Sequence, residues 1–371
     1  MDKNGSTQAQ FGTDKPAWIR RNVIEYLFDN ATTGTSGSLA TTMLLTYGVY
    51  GLAPDALVFG WAAAAVLIAA LRSLLLIQYR KASPQTPRDQ YLRPYRFLVF
   101  VSGVVVGLGC WLFVPIIPLE FQVMFIGAVL GINGGGIAIY AADHLTYKLF
   151  LFPSCLITIA TLLENGSEAL TLMAVLFVFF MLVMYQSSKR ATMIFLENTS
   201  LSFSLHYRAT HDSLTSLLNR EEFENFYDLY APKTKHGIAL LFVDLDNFKT
   251  LNDTCGHKAG DDALIFLGEL MKSSIRQDDR AARLGGDEFV ALLFLDDMSV
   301  AERAADKIRL GIQGFKPSTD VQPEVPLSCS IGIAFSSNSS VSYQTIMSRA
   351  DKACYQSKAR GKNQYTVDRV N

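Results

Sequence analysis

The apolar residues of this 371-residue chain are concentrated in its first half, and that unevenness constrains the fold more than anything else in the sequence. Six apolar segments follow one another near residues 38–53, 56–79, 97–117, 120–141, 149–163 and 168–186. A helix needs about 20 predominantly apolar residues to cross the hydrocarbon core of a bilayer. The second, third, fourth and sixth segments reach or approach that length, and the first and fifth are shorter. Ordinary mixed sequence takes over after about residue 186. The mean hydropathy of +0.21 is high for a purely soluble protein.

Charge between the segments alternates. Lys15, Arg20 and Arg21 precede the first segment, and Arg80, Lys81, Arg88, Arg93 and Arg96 separate the second from the third. Lys148 lies between the fourth and fifth, and Lys189 and Arg190 follow the sixth. The intervening loops carry Asp55, Glu120, Glu164 and Glu168 instead. By the positive-inside rule this predicts six spans with both termini cytoplasmic. Residues 37–186 are therefore expected to form an all-α six-helix transmembrane bundle, multi-pass in membrane lipid. Residues 1–36 would be a cytoplasmic segment whose polar first dozen residues differ from a secretory signal. Trp18, Ile19, Val23, Ile24, Leu27 and Phe28 recur at helical spacing, as either an interfacial helix or a cap on the bundle.

Within the spans, Asn133-Gly134-Gly135-Gly136 should loosen the fourth helix or let another helix pack closely. Asp143 and His144 sit at its cytoplasmic end, as an interfacial cap or as part of a ligand or ion site. Arg72, inside the second span, is expected to snorkel toward the inner interface. From residue 187 to 210 the chain turns amphipathic: Ile194, Leu201 and Arg208 are seven apart, as are Asn198 and Leu205, and Leu196 and Phe203. This imperfect heptad pattern suits a helix pairing with its twin or packing on the next domain.

Net charge is −1, which implies no bulk attraction to nucleic acid, and none is expected as a partner. The five cysteines are scattered without CxxC spacing, which argues against disulfides or a zinc site.

The remaining residues, 211–371, carry the chemistry. Gly237 to Val243 reads as a buried strand that ends in Asp244-Leu245-Asp246-Asn247-Phe248-Lys249. A carboxylate at the end of a rigid central strand is well placed to hold a hard cation, which keeps water and phosphate as its other ligands. Arg283-Leu284-Gly285-Gly286-Asp287-Glu288-Phe289 reads as a β-hairpin tip that projects two acids, with an apolar strand from Phe289 to Leu295. Asn252 and Asp261 flank a polar stretch before a helix, and an amide and a carboxylate can together read a guanine edge. A helix near 299–314, a strand Leu327 to Phe335, a helix near 343–358 and a short strand Gln364 to Val367 complete an α+β layered order. Lys358 and Lys362 lie at the last helix's C-terminus.

Taken together, residues Asp212 to Val367 resemble the GGDEF domain of diguanylate cyclases. The resemblance implies a palm-like, nucleotidyl-cyclase central sheet flanked by helices. It also implies condensation of two GTP into cyclic di-GMP and two pyrophosphates by a homodimer in the bacterial inner membrane. By the same resemblance, Asp244, Asp287 and the Leu245 carbonyl would hold Mg²⁺, with Mn²⁺ as a substitute. Asp287 or Glu288 would take the proton, and the sequence does not choose between them. Asn252 and Asp261 would bind guanine, and Gly285 and Gly286 would leave room for phosphates. The amides around Asn247 and Phe248, with Lys249, Lys358 and Lys362, would hold the triphosphate. Arg276 and Asp279, in RxxD spacing ahead of the hairpin, would bind the product as an inhibitor. Three positions depart from the family's usual residues: Ser216 stands for a frequent glycine, Cys255 for an aromatic and Lys362 for an arginine.

Overall fold

A computed structural model describes residues 14–83, 86–165, 167–295, 297–318, 326–337 and 341–370; the polar first dozen residues lie outside them. The chain divides into two compact units, Met1–Ser204 and Leu205–Asn371.

The first unit is helical: α1 Lys15–Asp29, α2 Ala31–Val49, α3 Asp55–Lys81, α4 Leu92–Phe113, α5 Leu119–Ile139, α6 His144–Glu164 and α7 Glu168–Thr210, the last running into the second unit. Asp14 caps α1 by accepting from the Ala17 amide at 3.2 Å. The buried face of α1 joins the bundle core, with Phe28 stacked on Tyr79 at 4.0 Å between ring centres. The segment thus packs on the bundle, as the cap reading expects.

Among the described residues five helices are long and apolar enough to cross a membrane: α3, the stretch Arg88–Phe113 that contains α4, α5, α6 and α7. The six expected spans are thus five by this measure. The shortfall is the first segment, because α2 begins earlier, at Ala31, and takes in a run of threonines and serines. Their hydroxyls turn back onto the helix: Thr35, Thr42 and Thr46 each donate to the carbonyl four residues earlier at 2.8–2.9 Å.

The Asn133–Gly136 run leaves α5 unbroken. Gly134 and Gly135 face open space, whereas Gly136 and Asn133 meet α6, with a Cβ on Gly136 falling 3.2 Å from the Tyr147 ring. Tyr147 Oη donates to the Asn133 carbonyl at 2.8 Å, and Ser154 Oγ to the Asn133 side chain at 2.9 Å. A closer approach, one the sequence reading passed over, joins α4 and α6. A Cβ on Gly103 would stand 2.4 Å from the Phe150 carbonyl, and one on Gly107 would stand 2.8 Å from Ile157. Glycines four apart let two helix backbones meet closely. Arg72 also departs from expectation. It is 4% exposed and bonded to Tyr140 at 3.3 Å, so it points into the bundle and does not snorkel.

The second unit is a five-stranded mixed sheet in the order β2-β3-β1-β4-β5. Its elements are α8 Arg220–Tyr230, β1 Gly237–Asp246, α9 Phe248–Cys255, α10 His257–Ser274, β2 Arg280–Gly285, β3 Glu288–Leu295, α11 Met298–Ile312, β4 Ser328–Ser336, α12 Tyr343–Ala359 and β5 Tyr365–Arg369. β1 is central and nearly every residue is buried, so it reads as a continuous apolar run. Side chains alternate between faces. Ala239, Leu241, Val243 and Leu245 pack against α10 and α11, whereas Ile238, Leu240 and Phe242 pack against α8 and α12. That parity assigns Asp244 and Asp246 to the α12 face. There, a Cβ on Gly332 would lie 2.0 Å from the Ala350 carbonyl, so glycine lets α12 lie directly on β4.

His211 opens this unit. Its ring stacks on Tyr207 at 4.2 Å, and Nδ1 lies 2.8 Å from Thr210 Oγ1. Burial, reinforced by Lys272, pushes its pKa down to about 4. A histidine whose folded pKa lies below its unfolded value of 6.5 contributes stability that is complete above 6.5 and lost as pH falls toward 4. Urea unfolding between those limits should therefore show stability rising with pH. His211→Gln should flatten that slope, and an unchanged slope would remove His211 as its source. Ser216, close by, holds a left-handed φ of 55°, which explains why glycine suits that position.

Candidate active site

β1 ends where the β2–β3 hairpin turns. Asp244 pairs directly with Glu288, and the Leu245 amide donates to the Asp287 carbonyl at 3.4 Å. The tip is a two-residue loop, Gly286-Asp287, closed by the Gly285–Glu288 pair, with Gly286 at a φ of 55° that favours glycine. Arg283 holds it in place. Its guanidinium donates to the Gly286 carbonyl at 2.8 and 3.0 Å and meets the Asp212 carboxylate at 3.2 Å. Burial alone would raise the Asp212 carboxyl, but bonds from Thr215 and Arg283 hold it below the usual carboxylate range, so the clamp stays ionised. Sequence reading missed this pair, which lies 71 residues apart. Both members were visible only as flanks of the two motifs.

Asp244 is 8% exposed. Its Oδ2 meets Lys358 Nζ at 2.6 Å, while Oδ1 is buried with no hydrogen-bond partner. Burial, with Asp287 and Asp246 nearby, pushes its carboxyl above the ordinary range in spite of Lys358. A lone buried carboxylate oxygen is costly and asks for a counter-charge. The Leu245 carbonyl points to the same neighbour as its amide, toward the tip, because both groups of a residue in an antiparallel strand face one side. Among the described residues no three His, Cys, Asp or Glu side chains gather as a metal cluster. Two carboxylates and one carbonyl, with the remaining positions left to phosphate and water, fit Mg²⁺ better than an all-protein cage. Glu288 is half-buried, with Arg220 3.8 Å away.

Asp246, by contrast, is structural. It is 2% exposed and accepts from Ser328 Oγ, Ser330 Oγ and the Asn363 amide at 2.8–3.0 Å. It ties the end of β1 to the loop that carries Lys362. Lys362 Nζ in turn donates to Asn247 Oδ1 at 2.6 Å. Asn247 adopts a left-handed φ of 61° and makes no side-chain cap, so the first amides of α9 (Phe248, then Lys249) are open to an anion. Lys358 thus sits on Asp244, Lys362 and Asn247 pair just past the end of β1, and Lys249 is exposed on the first turn of α9.

Asn252 is half-buried on α9, against Gly260 on α10: a Cβ on Gly260 would fall 1.9 Å from Asn252 Oδ1. The seat of the amide therefore depends on that glycine, which the sequence reading did not single out. Asp261 is exposed next to it.

Arg276 and Asp279 face differently. Asp279 is 5% exposed, and its carboxylate accepts from the Arg276 amide at 2.9 Å and the Phe294 amide at 3.0 Å. Arg276 is exposed.

Residues 209–364 match the sequence profile of the family described as diguanylate cyclase, GGDEF domain. Diguanylate cyclase A of Treponema denticola is 33% identical over 177 residues, 47% of this chain and 46% of the relative. The probable diguanylate cyclase DgcE of Escherichia coli is 37% identical over 174 residues, 46% of this chain and 16% of the relative. The chain thus spans less than half the length of either curated relative. A crystal structure of the coiled coil and GGDEF domain of DgcB from Caulobacter crescentus in complex with c-di-GMP aligns at 27% identity and a TM-score of 0.45, over 48% of this chain and 96% of that one. With its Gly-Gly-Asp-Glu-Phe hairpin set against the carboxylate end of β1, the segment 209–364 belongs to the GGDEF domain family.

Proposed function

We propose that this protein is a membrane-bound diguanylate cyclase that condenses two GTP into cyclic di-GMP and two pyrophosphates. The observation that carries the reading is the buried, partnerless Oδ1 of Asp244 where β1 pairs with the acidic hairpin, with Lys358 on its other oxygen and Lys362 on Asn247. Mg²⁺ held by Asp244, Asp287 and the Leu245 carbonyl would acidify the attacking 3′-hydroxyl and offset phosphate charge. The chain's own part is positioning. Lys249, Lys358, Lys362 and the α9 amides hold the triphosphate, Asn252 and Asp261 hold guanine, and the small Gly285-Gly286 tip admits the phosphates. Asp287 or Glu288 accepts the proton.

One site holds one GTP, so two chains must face each other for each hydroxyl to reach the other α-phosphate. Ile194, Leu201 and Leu205 on α7 are each more than half exposed, and their spacing supports helix pairing in a homodimer. In the membrane unit, α2 with its self-bonded threonines makes a sixth span, which keeps the basic loops and both termini cytoplasmic. This unit serves as the input that controls dimer geometry.

Calorimetry of the full-length chain with Mg²⁺ should give GTP a tighter dissociation constant than ATP; equal affinities would remove the guanine reading of Asn252 and Asp261. Exposed Arg276 supplies the inhibitory contact for product, with Asp279 shaping its loop. Arg276→Ala should relieve inhibition by added cyclic di-GMP, and full inhibition of the variant would exclude that role.

A further inference from the structure

A second polar site lies inside the helical unit. Thr35, Ser38 and Thr42 of α2, Ala65, Ile68, Ala69 and Arg72 of α3, and Ser102, Val105 and Val106 of α4 line a cleft. It leaves about 20 Å³ for the centre of a water-sized group, enough for one small polar group. Counted out to its open mouth, the cleft holds about 310 Å³. Thr35, Thr42 and Ser102 donate their hydroxyls to carbonyls of their own helices at 2.8–2.9 Å, which leaves Arg72 and the Ser38 hydroxyl to meet an occupant.

Arg72 is a permanent cation in this apolar setting. Its partners are neutral: the Tyr140 hydroxyl at 3.3 Å, and the face of Tyr95, 5.9 Å from the guanidinium carbon. Its Nε is buried and bonded to nothing. Among the described residues no ion pair involves it, and the Asp143 carboxylate is taken by Arg96 at 2.8 Å. A Cβ on Gly34 would approach Nη2 to 3.4 Å, so glycine keeps room around the guanidinium. A buried charge in a membrane segment requires a partner or a ligand, and these residues offer it none of opposite sign.

We propose that this cleft binds the oxyanion head of an amphiphile, a carboxylate or a phosphate, on Arg72, with the apolar body lying along Ala65, Ile68, Val105 and Val106. The argument is independent of the cyclase reading, and so is its test. The full-length chain is held in dodecyl maltoside micelles, which carry no oxyanion, and its thermal unfolding followed during titration with octanoate or octanol, and again with added phosphatidylglycerol. Stabilisation of wild type by an anion, by roughly 2–4 °C at saturation, absent with octanol and lost in Arg72→Gln, supports the site. A shift with octanoate assigns a free carboxylate, and one with phosphatidylglycerol alone assigns a lipid phosphate. No shift with either anion, or an equal shift in Arg72→Gln, overturns the proposal. Should that variant fail to fold, Ala65→Leu fills the cleft and leaves the guanidinium in place. It should lose the shift, and a full shift there overturns the proposal as well.

Discussion

Replacing Asp244 by asparagine should cut cyclic di-GMP synthesis by about 10³-fold or more, the scale expected when a charge that stabilises a phosphoryl-transfer transition state is removed. The substitution keeps the shape of the side chain and an oxygen able to accept from Lys358, now 2.6 Å from Oδ2. It removes the negative charge that the partnerless Oδ1 would offer to a cation. Burial already disfavours the ionised carboxylate in the fold, so the neutral amide should leave the melting temperature unchanged or slightly higher. Turnover and thermal melts measured on the same preparation separate the two effects. Near-normal turnover in Asp244→Asn would sink the metal assignment.

Gly260→Ala should act through recognition. The added Cβ would fall 1.9 Å from Asn252 Oδ1, so the amide at the end of that flexible side chain must leave its seat. Losing a base-edge hydrogen-bond pair costs about 1–3 kcal/mol, roughly a 5- to 150-fold rise in the GTP dissociation constant. Alanine is about 1 kcal/mol better than glycine inside a helix, and Gly260 lies within α10, so the folded state should be as stable as wild type or more so. Weaker GTP binding in a protein that melts no lower is the expected combination. Unaltered GTP affinity would show that Asn252 does not read the base.

What the sequence made legible follows from range. The β1 run, the hairpin and its acids are local patterns, so strand, turn and carboxylate placement could be read from spacing. α9 could not: its eight residues, Phe248 to Cys255, carry polar motif residues and too few apolar ones to signal a helix. The Arg283–Asp212 clamp and the seat of Asn252 on Gly260 depend on contacts between separate elements. Arg72 shows the same limit in the helical unit. Hydropathy identifies α3 but not its rotation, and contacts such as that with Tyr140, 68 residues away, reveal that the guanidinium faces inward. The shortfall in α2 has a different cause: threonines lower its hydropathy, yet they bond to their own helix.

The most direct test of the central claim is GTP turnover by the full-length chain in membranes or nanodiscs with Mg²⁺, with the products separated by mass. Cyclic di-GMP with two pyrophosphates per product, absent without Mg²⁺, is the predicted result. Tight binding of cyclic di-GMP with no turnover of GTP would contradict it and would make the domain a receptor.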